Sequence, residues 1–137
     1  MESNAEKNRY IAGKVIHGEG RGKKIGFPTA NIDFTDWHYQ TGVYGVRVYV
    51  NDACYYGVMN IGVKPTFHKN ASKNVEIHII KFNENIYGKQ IEVEVIFKVR
   101  DEQKFNSVHE LIRQIKKDIA FTKHKFHQMG MNRKELS

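Results

Sequence analysis

The sequence predicts a mainly β protein, a closed or nearly closed antiparallel barrel with one helix at its C-terminal end. Three observations carry that prediction. Stretches of period-two alternation recur between residues 10 and 99, separated by glycine, asparagine and aspartate turn chemistry. A single apolar stripe at helical spacing follows them. The chain has 137 residues, 40% hydrophobic and 27% charged, which suits one folded domain. Several short antiparallel strands in so small a domain are best closed into a barrel, because closure removes exposed edges.

Taken in order, Tyr10 to His17 reads as a first strand, stopped by the cluster Gly18, Gly20 and Gly22. Val43 to Val50 alternates, with Tyr44, Val46, Val48 and Val50 on one face and Arg47 and Tyr49 on the other. Asn51-Asp52 is hairpin turn chemistry, and Tyr55 to Ile61 is the returning arm. Val75 to Phe82 reads as another strand, which Tyr87-Gly88-Lys89 turns into Ile91 to Val99. In that last strand Ile91, Val93, Val95, Phe97 and Val99 are expected to face inward, and Glu92, Glu94 and Lys98 to face water.

The helix is announced by Ser107 and Glu110, an S-x-x-E capping box. Val108, Leu111, Ile112, Ile115 and Ile119 form its apolar stripe, expected to be core. Lysines crowd its C-terminal half, where they complement the helix dipole, and Gly130 is the expected stop. Residues 1–8 are expected to be a flexible N-terminus and 128–137 a flexible tail around one domain at 9–127.

Composition excludes several classes. One cysteine, Cys54, forbids an intrachain disulfide and a cysteine-based zinc site. No apolar run nears the roughly 20 residues of a membrane helix. Met1 to Asn8 is polar and unlike a signal peptide, so a cytoplasmic location with no membrane partner is expected. Twenty-two Lys and Arg against fifteen Asp and Glu give +7, a balance that suits nucleic acid, a nucleotide, or merely a soluble basic surface.

The stretch from Gly18 to Asn31, GEGRGKKIGFPTAN, carries the chemistry. Its glycines let backbone amides close around an anion, although composition alone favours an ordinary surface turn. No G-K-[S/T] follows at Walker spacing, and no helix pattern follows as a dinucleotide fingerprint needs. Pro28 fixes the chain, after which Thr29 and Asn31 point to one side of an extended segment. Two neutral oxygens beside a phosphate loop suit Mg²⁺ when phosphates supply most of the charge.

The run GRGKKIGFPTANID resembles the signature of the riboflavin kinase (flavokinase) family. The resemblance continues through GVYGVRV, YYGVMNIGVKPTF, VEIHIIKFNENIYGKQIEV and VRDEQKFNSVHELIRQIKKDI, over residues 9–121. It is nearest to the C-terminal kinase module of bacterial bifunctional FAD synthetases, whose adenylyltransferase domain is then missing here or encoded elsewhere. The resemblance implies a six-stranded antiparallel Greek-key barrel and ATP-dependent phosphorylation of riboflavin to FMN, with ADP as the other product. It implies Mg²⁺, with Zn²⁺ or Mn²⁺ as alternatives.

By the same resemblance, Gly18, Gly20, Arg21, Gly22, Lys23, Lys24 and Gly26 fold over the nucleotide, joined by Pro28, Thr29, Asn31 and Asn60. Thr29 and Asn31 become metal ligands and Glu76 the catalytic base. On its own strand Glu76 shares a face with His78, Ile80 and Phe82, and a lone exposed carboxylate is the bland reading. Arg100, Asp101, Glu102, Phe105 and Leu111 are the implied flavin residues. Phe105 reads equally as a hydrophobic staple two residues before the cap.

Other candidates carry less. His124 and His127 lack a third ligand nearby, His17 and His78 read as packing or hydrogen-bonding residues, Trp37 as a loop anchor, and Cys54 as unreactive. The alternative function is a flavin-sensing or RNA-binding module on the same fold, motivated by the basic charge. No RNA-recognition motif supports it.

Overall fold

Alternation builds the barrel from six strands, which the computed structural model describes through residues 10–18, 26–34, 39–64 and 72–130. They are β1 (Tyr10–Ile16), β2 (Ala30–Phe34), β3 (Gly42–Val50), β4 (Ala53–Lys64), β5 (Ser72–Ile79) and β6 (Gln90–Arg100). One helix, α1 (Val108–Gln128), follows. The strands close in the order β1-β2-β5-β4-β3-β6, every pair antiparallel. Neighbours β3, β4 and β5 are consecutive, and β6 returns to lie beside β3, which is a Greek key.

The interior is filled by the inward half of each alternation, among them Ile11, Val15, Ile32, Val46, Val48, Met59, Ile61, Ile77 and Val93. Asn51 and Asp52 both take left-handed backbone, φ 50° and 66°, which joins β3 to β4 without splaying the strands. The terminal stretches 1–8 and 131–137 lie outside the described residues, as do Gly20, Arg21, Gly22, Lys23, Lys24 and Trp37.

Three expectations about the strands need correction. β5 stops at Ile79 rather than Phe82, because Ile80 and Lys81 turn, Lys81 with φ 57°. The turn at Tyr87 and Gly88 does not pair β5 with β6; β6 crosses to lie between β1 and β3. Phe97 does not face inward. The pairing of β6 with β3 skips Ile96, which reverses the alternation, and then skips Val99, which restores it. Phe97 thus lies against Gly45 on the outer wall, where a Cβ on that glycine would overlap the ring.

The outer wall also holds a charge that was expected in water. Glu94 is only 7% exposed. It accepts a hydrogen bond from the Tyr49 hydroxyl at 3.1 Å and pairs with Arg47 at 3.4 Å, while Tyr10 stands opposite it on β1. Burial and the Glu94 carboxylate push the Tyr49 phenol up to about 12, and the Glu94 charge, then burial, raises Tyr10.

Helix α1 begins as its cap predicts. Oγ of Ser107 accepts from the Glu110 amide, while the Glu110 carboxylate accepts from the Asn106 amide rather than from Ser107 itself. Gly130, at φ 85°, ends it and donates to the His127 carbonyl. The helix packs against β4 and β6. Its buried residues are Asp118, Thr122 and Phe126. Phe126 sits 4.7 Å from the Tyr56 ring and 5.0 Å from Phe97, centroid to centroid. Leu111, Ile112, Ile115 and Ile119 are only half-buried and Val108 is exposed, so the expected stripe is not the main anchor.

Candidate functional site

One rung of the barrel collects most of the predicted chemistry. Asn31 of β2 stands opposite Glu76 of β5, which stands opposite Asn60 of β4. Asn60 in turn faces Val43 of β3, and Val43 faces Arg100 of β6. Glu76 alternates with the buried Val75 and Ile77, so this rung points outward. Residues opposite one another on a rung share a face at about 5 Å, which makes Asn31, Glu76 and Asn60 side-chain neighbours. Asn31 is buried, Glu76 half-buried and Asn60 exposed.

Thr29, half-buried, immediately precedes β2, two residues before Asn31. Gly18 closes over this corner, since a Cβ there would overlap the Asn31 side chain. Only glycine lets the backbone cross so close. At the far end of the loop, Gly26 takes φ 90° with open space around it, and Pro28 is exposed. The structure therefore brings Gly18, Thr29, Asn31, Glu76 and Asn60 together. The intervening Gly20, Arg21, Gly22, Lys23 and Lys24 fall outside the described residues.

Among the described residues no group of three or more His, Cys, Asp or Glu could hold a metal. Neutral oxygens from Thr29 and Asn31, one of them nearly buried, fit a cation whose remaining ligands are phosphate oxygens and water.

The predicted flavin residues divide. Arg100 turns to the helix, where its guanidinium holds Asp118 bidentately and its carbon lies 5.7 Å above the Phe105 ring. Phe105 is half-buried, with the Arg100 guanidinium over its ring. Asp101 leaves the group and pairs with Lys98 at 2.5 Å. That hydrogen bond holds the Asp101 carboxyl below its ordinary range and lifts Lys98 above its own. A Cβ on Gly62 would stand 3.1 Å from the Glu102 carboxylate, so Glu102 reaches back over β4. Leu111 is half-buried beside this loop's end.

Sequence reasoning missed two partners. Asp118 is buried on the helix and bonded by Arg100 and by Gln114 at 2.9 Å. Its signal was a carboxylate three residues beyond Ile115 on an otherwise apolar face. His78 was read as packing or hydrogen-bonding with no partner named; its Nδ1 meets the Pro28 carbonyl at 2.9 Å and its ring meets Phe27 edge-on. No pattern in the sequence pointed there.

Comparison with known proteins follows the same lines. The family model described as Flavokinase, riboflavin kinase, matches residues 5–126. The chain is 46% identical over 128 residues to the RNA-binding riboflavin kinase RibR of Bacillus subtilis (strain 168), covering 91% of this chain and 56% of that one. It is 44% identical over 113 residues to the bifunctional riboflavin kinase/FMN adenylyltransferase of the same organism, covering 80% of this chain and 36% of the relative. It thus spans about half or less of these relatives.

Among solved structures, one titled macrolide-efflux protein from Streptococcus pneumoniae superposes with TM-score 0.77 at 36% identity. That match covers 82% of this chain and 38% of the other. Riboflavin kinase from Trypanosoma brucei shares the fold, with TM-score 0.59 at 24% identity over 86% of this chain and 79% of its own.

Proposed function

The chain belongs to the riboflavin kinase family, and we propose that it transfers the terminal phosphoryl group of ATP to the ribityl 5′-hydroxyl of riboflavin, giving FMN and ADP. The observation that carries this reading is the single rung Asn31–Glu76–Asn60 with Gly18 folded onto its first member. It sets a carboxylate between an oxygen pair suited to a nucleotide-bound cation and the wall that leads to Arg100 and Phe105.

In this reading Thr29 and Asn31 hold the cation, Mg²⁺ in the first instance, through neutral side-chain oxygens. The bound cation supplies charge neutralisation of the phosphates. Gly18 and Gly26 let the loop lie close to the phosphates, where backbone amides donate without a side chain in the way. Glu76 accepts the proton of the ribityl hydroxyl and orients that oxygen for in-line attack. Phosphoryl transfer depends mainly on positioning and electrostatics, so few protein groups suffice. The flavin ring lies toward the segment from Asp101 to Leu111, with Phe105 as its aromatic neighbour. A cytoplasmic site of action belongs to the same reading.

The test is direct. The purified chain, given riboflavin, ATP and Mg²⁺, should form FMN, resolved by chromatography with fluorescence detection. Absence of FMN with Mg²⁺, Mn²⁺ and Zn²⁺ alike would end the proposal.

A second reading rests on the exposed helix face. Lys116, Lys117, Lys125, His124 and His127 are all exposed on α1, whose acidic partner Asp118 is already taken by Arg100. Such a face suits a phosphate backbone, and the RibR relative is named as RNA-binding. RNA retention on filters that falls steeply with added salt would support it.

A further inference from the structure

The seam between β2 and β5 is short. It has two register pairs, Ala30 with Ile77 and Asn31 with Glu76. The neighbouring β4–β5 seam has eight. Continuing the short register by one step places His78 opposite Thr29, beyond the last paired residue. The tie that takes over there comes from a side chain, Nδ1 of His78 on the Pro28 carbonyl at 2.9 Å. A carbonyl only accepts, so Nδ1 carries the proton.

The location matters for the site. His78 lies two residues beyond Glu76 on β5 and on the same outward face. Pro28 immediately precedes Thr29 and has no amide proton to offer the ladder. The ring of His78 also meets Phe27 edge-on, at 6.1 Å and 78° between planes. One side chain on the strand of Glu76 therefore fixes both residues that lead into Thr29.

We propose that His78 is a positioning residue for phosphoryl transfer: its Nδ1–H bond to the Pro28 carbonyl holds the Thr29 oxygen in register with Asn31 and Glu76. This rests on the reading of Thr29 as a cation ligand. The β2–β5 ladder itself stops at Ala30 and does not reach Thr29. Misplacement of a binding group by about 1 Å can cost on the order of 100-fold in rate.

Two substitutions separate the bond from the packing. His78→Phe keeps a ring against Phe27 and removes the donor. His78→Asn removes the ring and returns an amide N–H near the Nδ1 position. In the full chain, His78→Phe is expected to lower kcat/KM for Mg²⁺·ATP at least 10-fold, on the way to the loss above, with the riboflavin KM unchanged. His78→Asn should recover most of that loss, and both variants should melt near the parent temperature. Calorimetric affinity for Mg²⁺·ADP should follow the same order, parent and Asn above Phe.

Parental kinetics in His78→Phe, or equal losses in both variants, would overturn the proposal. A parent chain that binds Mg²⁺·ADP yet forms no FMN would refute the kinase reading alone. The ADP affinities of the two variants would then still decide the role of His78. A parent that does not bind Mg²⁺·ADP would refute both.

Discussion

Arg100 and Asp118 form a two-pronged pair, with Nε 2.9 Å from Oδ1 and Nη2 2.9 Å from Oδ2, and it joins the last strand to the middle of the helix. The Asp118 side chain is 6% exposed and that of Arg100 20%. Gln114, one turn earlier, donates to the same carboxylate. A nearly buried carboxylate held by a guanidinium in this way is costly to leave without its partner.

Removing either partner should therefore destabilise the protein, and not equally. Arg100→Ala strands the more buried charge and is expected to cost about 3–5 kcal/mol. Asp118→Ala leaves a guanidinium that still reaches water and should cost less. Denaturant melts of both and of the double variant would measure the coupling. If the double variant is no more stable than the sum of the singles predicts, the pair is not a unit.

The helix should be held by its second half. Phe126 is fully buried against Tyr56 and Phe97, and Phe126→Ala is expected to cost about 3–5 kcal/mol. Leu111 is half-buried, so Leu111→Ala should fall well short of the 2–5 kcal/mol of a fully buried leucine. Chemical denaturation ranks them, and the reverse order would move the anchor to the first turns.

That ranking marks the boundary of what the sequence could tell. Local signals were readable: the Ser107 cap, the Asn51-Asp52 turn and the inward alternation of β3 all appear where the pattern put them. The resemblance supplied the number of strands and the Greek-key barrel, which alternation alone does not encode. Phe97 was misread because a bulge shifts phase by one residue without changing composition. Glu94 was misread because its cover, Tyr10, Arg47 and Tyr49, comes from two other strands. The candidates Thr29, Asn31 and Glu76 come from the motif and the resemblance, whereas the pairing of Asp118 and the Pro28 bond of His78 exist only once distant elements meet.

Alkaline pH should reveal the Tyr49 cluster. Its phenol is raised to about 12, against an ordinary value near 10. A raised acid stabilises the fold fully below the unfolded value and less as pH climbs through the folded one. Melting temperature should then drop between pH 10 and about 12. Tyr49→Phe should shrink that drop without abolishing it, because Tyr10 and Tyr44 are raised as well. An unchanged alkaline profile in the variant would place the titration elsewhere.

Thr29→Ala and Asn31→Ala should weaken Mg²⁺·nucleotide binding while the barrel persists. Asn31 is the more buried of the two and is crossed by Gly18, so its loss carries the larger structural risk. Calorimetry with Mg²⁺·ADP beside a thermal melt separates the effects. A collapse in melting temperature at Thr29→Ala would identify that hydroxyl as a structural hydrogen bond.

Glu76→Gln gives the clearest reading of mechanism, because it retains the shape and most hydrogen bonds while removing the proton acceptor. Glu76 sits between Asn31 and Asn60 on a rung whose inner neighbours Val75 and Ile77 are fully packed, so the substitution leaves the core untouched. General-base assistance is worth roughly 10²–10⁴-fold, and FMN formation should fall by that order. Riboflavin and Mg²⁺·ADP should bind as before, since the proposed ring and cation contacts come from other residues. Near-normal turnover would make Glu76 an ordinary strand carboxylate, with the proton leaving by another route. Loss of Mg²⁺·ADP binding would instead place the carboxylate among the cation's ligands, beside Thr29 and Asn31. Turnover and affinity measured on one preparation therefore assign Glu76 to base, ligand or wall.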